Sequence, residues 1–595
     1  MTCQQSKTDI EIEDIILERD TKFKDVLENI EKYKDIVHHL FIFYNHHKTD
    51  DKIIFEKEYS KVSRNNKIKI TKVFLVFVYQ KMIRQGEIIF DPLFLGFIQK
   101  CPARNLSGVN SFAILLSPEP EGRKGESCKH NCYYCPDETI LNGAEADMPR
   151  SYLLKEPAVQ RGYRNGWSAI NQMNDRLNSL MVQGHEVDKL ELIIEGGTYT
   201  EFPQNYLRTF HRDIFYSANT FFDPEPKRPK KTIKEEMNIN IYTRVRIIGI
   251  CIETRPDAIS YDWLRFFRET GTTRIQLGVQ HTDNFILKKI NRGHTFEDSC
   301  EAVNILKNNC FKVDIHLMPD LPHSSPQKDK DMFDIIFKTN IICPDQVKIY
   351  PCEVTPYTVI EKWHKSGKYK PYSDTNPETL LEVVEYAMKL CPPWVRLPRV
   401  VRDIPLTYIT GGNKYSNLRQ MIEDNIRKKG HSINEMRYRE IGRHIEYMRK
   451  PKKIKVRKYN KIDYFISYES YDEKALFGFI RLRLPENNNS YFQCLNNKGL
   501  IRELHVYNSL VPVGKYYNTT QHKGIGKKLL KKAEWIAWAN GYNGTVVISG
   551  EGVKGYYYKN GYKELDTFVV KEWGYFKLYL IIIFTITFYN ILMLW

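Results

Sequence analysis

Five short apolar runs, each ending in glycine, proline or polar residues, constrain this chain more than any other feature. They are "LELIIEGGT", "IIGICIETRPD", "TTRIQLGVQ", "KVDIHLMPDLP" and "QVKIYP", and amphipathic stretches such as "EDSCEAVNILKNNC" separate them. Runs of this length with apolar residues on both faces read as buried parallel strands, and the stretches between them read as crossover helices. Repeated strand–helix alternation over residues 101–395 predicts an α/β fold built on a parallel (β/α) barrel, closed or partial. In such folds chemistry gathers at the carboxyl ends of the strands, where the glycines and polar residues fall here.

Just upstream of these runs lies "GESCKHNCYYCPDE", which crowds Cys128, Cys132 and Cys135 into eight residues. A disulfide knot, a zinc site and an iron–sulfur cluster compete for this spacing. Nine further cysteines are scattered through the 595 residues, which argues against a disulfide framework and for a reducing compartment. A structural zinc site wants four ligands, and three thiolates leave one iron of a [4Fe–4S] cluster open to a chelating cofactor. Gly196, Gly197 and Thr198, in "EGGT", can expose backbone groups to the amine of such a cofactor. Cys343, Cys352 and Cys391 read as interior thiols, not zinc ligands.

The rest of the chain divides by composition. Residues 1–100 are charged and helical in pattern, and the apolar segment "KVFLVFVYQKMI" is too short and too charged at its flanks to span a bilayer. Residues 396–458 form a basic connector with 18 Lys and Arg against 6 Asp and Glu. With the overall net charge of +17, this predicts a polyanionic partner, nucleic acid or an anionic membrane face. Residues 459–572 begin with strand-like "KALFGFIRLRL" and "LIRELHVY", continue with "QHKGIGKKLLKKAEWIAW" and end in "TVVISG" and "VKGYYYKNGYKEL". Gln521, Gly524 and Gly526 open a helix whose N-terminal amides can cradle a pyrophosphate. The last 18 residues, 578–595, are uncharged, and as a helix would reach roughly 27 Å against a hydrocarbon core of about 30 Å. Residues 575–595 are therefore expected to be a single-pass membrane tail, with Lys571 and Lys577 on its cytosolic side. The N-terminus has neither a signal-peptide nor a transit-peptide pattern.

Taken together these motifs resemble a known family. The three cysteines before a parallel barrel with "EGGT" are similar to radical S-adenosylmethionine (radical SAM) enzymes. The Gly-rich turn between "RELHVY" and "YYYKNGY" resembles the coenzyme A site of GNAT acetyltransferases. In order along residues 100–570, "SYLLKEPAVQRGYRN", "IETRPD", "NRGHT", "MPDLP", "PPWVRLPRVVRDIP", "RYREIG" and "IRELHVY" resemble the catalytic subunits of Elongator, the tRNA wobble-uridine carboxymethyl synthases. The resemblance implies a partial radical SAM barrel, an α+β GNAT domain, a helical tRNA-binding N-terminal region and, as an addition to the family pattern, a C-terminal transmembrane helix.

It also implies site residues. Cys128, Cys132 and Cys135 would hold a [4Fe–4S] cluster, with S-adenosylmethionine against Gly196, Gly197 and Thr198. Lys189 would contact acetyl-CoA from the barrel. Glu503, Leu504, His505 and Val506 would form the acetyl-CoA strand, Gly524, Ile525, Gly526 and Lys527 the pyrophosphate turn. Tyr557 would lie near the acetyl group. The implied chemistry uses a deoxyadenosyl radical and acetyl-CoA to form 5-carboxymethyluridine at the wobble position of tRNA, with other Elongator subunits as possible partners. A lysine acetyltransferase using the second domain alone, and an inactive tRNA-binding scaffold, are the alternatives. The chain departs from the family at Asp137 and Glu138 in place of Gly-Gly, at Gln276 in place of glutamate, at His281 in place of serine, and at "CEVTPYT" in place of a Gly-Thr-Gly element. The expected location is the cytosolic face of a membrane, the mitochondrial outer membrane before the endoplasmic reticulum.

Overall fold

The computed structural model describes residues 23–47, 52–66, 68–99, 108–123, 127–487, 490–507 and 524–573. Its first sheet has six parallel strands in sequential order: β1 (Asn110–Leu115), β2 (Lys189–Glu195), β3 (Arg246–Thr254), β4 (Thr272–Gln280), β5 (Lys312–Leu317) and β6 (Gln346–Ile349). Helices Gln204–Thr220, Tyr261–Glu269, Phe296–Asn308 and Pro326–Lys338 cross between them. β4 is buried at seven of its nine positions and half-buried at the other two, as expected of a strand covered on both faces. Each of the five apolar runs read from the sequence is a strand here. β1, which the sequence reading did not single out, adds the first edge.

The second sheet has seven strands in the order β12-β13-β11-β10-β9-β8-β7. Its members are β7 (Lys452–Tyr459), β8 (Asp463–Ser470), β9 (Leu476–Arg483), β10 (Gly499–Val506), β11 (Gly544–Val547), β12 (Lys563–Leu565) and β13 (Phe568–Glu572). Only β10 and β11 run parallel. Alternation along the strands divides the sheet's two faces. Leu500, Val546, Ile548, Phe568 and Val570 join the core of the half-barrel. Ile501, Val547 and Val569 instead pack with Leu529, Leu530 and Ala533 of helix Ile525–Ala539. The half-barrel and the second sheet therefore share one apolar core.

The N-terminal helices, Ile30–His47, Lys52–Asn65, Lys72–Gln85 and Pro92–Ile98, belong to that core as well. The segment "KVFLVFVYQKMI" is a buried helix, N-capped by Thr71 and ended by Gly86 at φ +76°. The stretch read as a basic connector is folded: it carries helix Leu418–Lys428, and its last residues form the edge strand β7. Among the described residues no helix is long and apolar enough to cross a membrane. The expected tail, residues 575–595, and Gln521 lie outside the described residues.

Candidate active site

The cysteine loop leaves the carboxyl end of β1 and meets the turn that follows β2. Gly197, at φ +110°, lies so close to the loop that an added Cβ would stand 2.4 Å from the carbonyl oxygen of Ser127. Thr198 donates its amide to the same carbonyl at 2.9 Å and its hydroxyl to the Cys128 sulfur at 3.2 Å. The "EGGT" turn thus fixes the first cysteine through backbone that only glycine permits. Cys132 is buried under two guanidiniums: Arg292 donates to its sulfur at 3.4 Å and Arg255 at 3.7 Å. The Cys135 thiol's hydrogen bond, with Arg292 and Arg255 beside it, holds the Cys132 thiol well below the usual range.

Among the described residues no group of three His, Cys, Asp or Glu side chains is gathered as a single-ion cage. The donor set fits a cluster better than one metal ion. It has three thiols on one loop, no fourth ligand among the described residues, two guanidiniums against the Cys132 sulfur, and a packed turn beside it. Cys128, Cys132 and Cys135 would hold it.

A cavity of about 1000 Å³ opens from this loop through the inside of the half-barrel to the second sheet. Its barrel wall is polar. Lys348 on β6 donates to the Gln276 side-chain oxygen at 2.5 Å and lies 3.4 Å from Glu253. His316 Nε2 sits 3.1 Å from the same Gln276 oxygen, and Tyr152 donates its hydroxyl to Glu253 at 2.8 Å. Burial and the nearby Lys348 push the His316 imidazole down to about 3, so it is neutral and donates from Nε2. Burial, with the Glu253 carboxylate beside it, pushes the Glu195 carboxyl up to about 7.

The opposite wall is β10. Its register with β11 ends at Ile501↔Val547, whereas its register with β9 continues to Val506↔Gly478. The two parallel strands splay, and the cavity enters the splay between Glu503, Leu504 and His505 on one side and Ile548, Ser549 and Gly550 on the other. Tyr557 lines the same space, packed at 5.3 Å against Tyr556 and 5.8 Å against Tyr562. Val506 faces the other way, towards Gly526 at the start of helix Ile525–Ala539. Gly524 caps that helix at φ +71°, Ile525 is buried, and Lys527 is exposed.

Lys189 stands apart from the cavity wall. It opens β2 in register with Arg246, and its Nζ lies 3.4 Å from Asp188. That edge is where the second sheet's loop docks: an added Cβ on Gly550 would fall 2.1 Å from the Ile248 carbonyl oxygen, and one on Gly552 2.6 Å from the Arg246 Cβ.

The departures from the family pattern are built into local networks. Glu138 is buried and accepts from the Leu154 amide at 2.6 Å and the Tyr408 hydroxyl at 3.0 Å. Asp137 pairs with Arg150 at 3.0 Å. His281 lies 3.1 Å from Asp329, both buried. "CEVTPYT" ends in Thr358, which caps helix Val359–Lys365. Gln276, read only as a departure, is the hub between Lys348, His316 and Asp314. Cys352 and Cys391 are buried free thiols and Cys343 is a partly buried one.

Residues 201–333 match the Radical SAM superfamily and residues 344–428 the Radical_SAM C-terminal domain. A tRNA uridine(34) acetyltransferase of Methanocaldococcus infernus is 36% identical over 494 residues, covering 81% of this chain and 88% of the relative. Human Elongator complex protein 3 is 33% identical, over 79% of this chain and 85% of its own. The structure of the Methanocaldococcus infernus Elp3 with an N-terminal deletion aligns with a TM-score of 0.65 at 32% identity, over 79% of this chain and 100% of the other. The chain belongs to the family of the tRNA uridine(34) acetyltransferases and Elongator complex protein 3.

Proposed function

We propose that this protein is a tRNA uridine(34) acetyltransferase of the radical SAM class that forms 5-carboxymethyluridine at the wobble position. The observation that carries the reading is the single cavity that joins the cysteine loop to the splay of β10. Two chemistries that would be separate in separate domains can act there on one substrate.

In this reading Cys128, Cys132 and Cys135 hold a [4Fe–4S] cluster, and Gly196, Gly197 and Thr198 seat S-adenosylmethionine. When bound, these groups supply one-electron chemistry that activates the acetyl methyl of acetyl-CoA. The second domain acts as a GNAT-type module. The edge of β10 from Glu503 to Val506 pairs with the pantetheine arm, and the amides at Gly524, Ile525, Gly526 and Lys527 take the pyrophosphate. Lys189 reaches the coenzyme from the barrel side of the junction, and Tyr557 donates its hydroxyl at the thioester. Across the reaction one C–H bond of the acetyl methyl and the C5–H bond of uridine give way to a C–C bond. This is a two-electron oxidation for which S-adenosylmethionine would be the oxidant, taking the methyl hydrogen while the C5 hydrogen leaves as a proton. Water cleaves the thioester to a carboxylate and free thiol. Glu195, whose carboxyl sits near neutrality, can hold or release a proton at the cavity wall. Enclosure by both domains limits water at the reacting atoms.

The test is mass spectrometry of wobble uridines in tRNA from cells with and without the protein. Absence of any change in 5-carboxymethyluridine and its derivatives would sink the assignment. We further propose that residues 575–595 anchor the protein with its catalytic bulk in the cytosol, favouring the mitochondrial outer membrane. The support is the uncharged run 578–595. Full-length protein should resist carbonate extraction, and a chain lacking 575–595 should be soluble; a full-length chain in the supernatant defeats the anchor.

A further inference from the structure

The cavity wall carries twelve Arg and Lys side chains against eight Asp and Glu, and the excess is concentrated in one place. Arg396, Arg419, Arg437 and Arg443 come together there from the segment after β6. Three of them have carboxylate partners. Arg396 pairs with Glu440 at 2.8 Å, Arg419 with Glu423 at 2.7 Å and also with Glu435, and Arg443 with Glu423 at 3.6 Å. Arg437 differs: its Nη1 donates to the Pro398 carbonyl, no carboxylate among the described residues is paired with it, and the Glu440 carboxylate that offsets its crowding is already paired with Arg396. Burial and the like charges of Arg396, Arg419 and Arg443 push its guanidinium down to about 9. A half-buried, crowded cation with no carboxylate paired to it costs folding free energy. A site that keeps one on a cavity wall is suited to an anion that arrives from outside.

We propose that Arg437, with Arg396, Arg419 and Arg443 around it, is a phosphate-binding subsite that takes a phosphodiester of the RNA next to the reacting uridine. This rests on the tRNA reading above. Phosphate could also come from coenzyme A, but the placement favours RNA. The turn suited to the coenzyme pyrophosphate, at Gly526, touches Val506, whereas His505 and Tyr507 on the other side of β10 line the cavity with the arginines. A phosphodiester held there would fix the strand while the neighbouring base turns into the barrel. The guanidinium fork suits that role better than an ammonium.

The experiment measures binding of a synthetic anticodon stem-loop, and separately of acetyl-CoA, to the full-length protein across a salt series. Arg437→Gln should weaken the stem-loop roughly five- to tenfold and lower the magnitude of the log–log salt slope by about 0.7–0.9. Acetyl-CoA affinity should stay unchanged, and thermal stability should stay level or rise, because a repelled cation has been removed. Arg437→Lys should restore the slope and only part of the affinity. Wild-type binding with an unaffected Arg437→Gln overturns the subsite. A loss confined to acetyl-CoA assigns the phosphate to the coenzyme and overturns the RNA assignment. A drop in thermal stability with no change in RNA slope makes Arg437 structural and also overturns it. If the wild-type chain binds no stem-loop at all, the tRNA reading itself fails.

Discussion

Arg274 on β4 and Glu503 on β10 lie 3.4 Å apart, and the pair ties the half-barrel to the strand proposed to bind acetyl-CoA. Arg274 also stands 3.0 Å from Glu191, and Glu503 stands 2.9 Å from Arg481. Beside them Arg502 grips Asp345 with two bonds of 2.5 and 2.7 Å. The junction between the two sheets is thus a chain of buried, alternating charges set within an apolar core. Such a chain adds little net stability over apolar packing, but it fixes register, and removing one member leaves its partners uncompensated.

Glu503→Ala should therefore cost about 3–5 kcal/mol at the junction. Hydrogen exchange at the β10 amides should rise, while exchange in β2 and β3 stays slow. Arg274→Ala should act similarly, and the double variant should cost less than the sum by about 0.5–3 kcal/mol. Strict additivity would show that the pair does not couple the sheets.

Acid should open the same junction. Against the burial that would raise it, Lys312, Arg481 and Arg274 hold the Glu503 carboxyl down to about 2. Asp345 is likewise depressed, against its burial, by Arg502 and Arg481. Depressed carboxyls stabilise the fold above their unfolded values, near pH 4.5 for glutamate, and that stability is lost as pH falls towards 2. β10 protection should be flat from pH 7 to 5 and collapse below about 4. Glu353 has the opposite sign, since burial pushes its carboxyl up to about 8. Glu353→Gln should thus stabilise increasingly as pH rises from 5 to 8, read from urea midpoints.

The barrel was readable because its strands are buried on both sides, which leaves uninterrupted apolar runs. β1 was harder: Ser111 is exposed within a six-residue strand, so the run is short and broken. The cysteine loop and the Gly-rich turns were readable because spacing and glycine are local signals. Side-chain networks were not, since Gln276 finds partners on β5 and β6 and Glu138 finds Tyr408 across 270 residues. Within the basic segment, Lys453 and Lys455 on β7 turn to Glu473, whereas Arg437 is paired with no carboxylate among the described residues. A count of lysines and arginines cannot tell a paired cation from an unpaired one.

Cys132→Ala should abolish the iron bound by anaerobically reconstituted protein, about four irons per chain in the wild type. The broad visible absorption should disappear with it. Acetyl-CoA binding should persist, because Cys132 packs with Tyr134, Ile290 and Leu321, far in the chain from β10. Stoichiometric zinc in place of iron would defeat the cluster.

Tyr557→Phe keeps the ring against Tyr556 and Tyr562 and removes only the hydroxyl. Acetyl-CoA affinity should change less than about threefold, and the rate of tRNA modification should fall about a hundredfold, as for loss of one positioned donor. Equal losses in affinity and rate would make Tyr557 a binding residue only.

Gly197→Ala should separate the cluster from the fold. At φ +110° an alanine carries a strain of roughly 1–2 kcal/mol, and its Cβ would stand 2.4 Å from the Ser127 oxygen. That oxygen is backbone, so the clash is relieved only by moving Ser127. Ser127 accepts the Thr198 amide and immediately precedes Cys128, whose sulfur accepts the Thr198 hydroxyl. The shift therefore reaches the first cysteine while Leu190, Leu192 and Ile194 keep β2 in the core. The expected variant is folded, binds acetyl-CoA normally and holds iron poorly after reconstitution. Gly166→Ala supplies the control, because Gly166 also has positive φ, +57°, but nothing lies within 4 Å of its added Cβ. It should lose a similar amount of stability to backbone strain and keep its iron. Equal iron loss in both variants would trace the effect to strain in the fold, and full iron in Gly197→Ala would free the cysteine loop from the turn after β2.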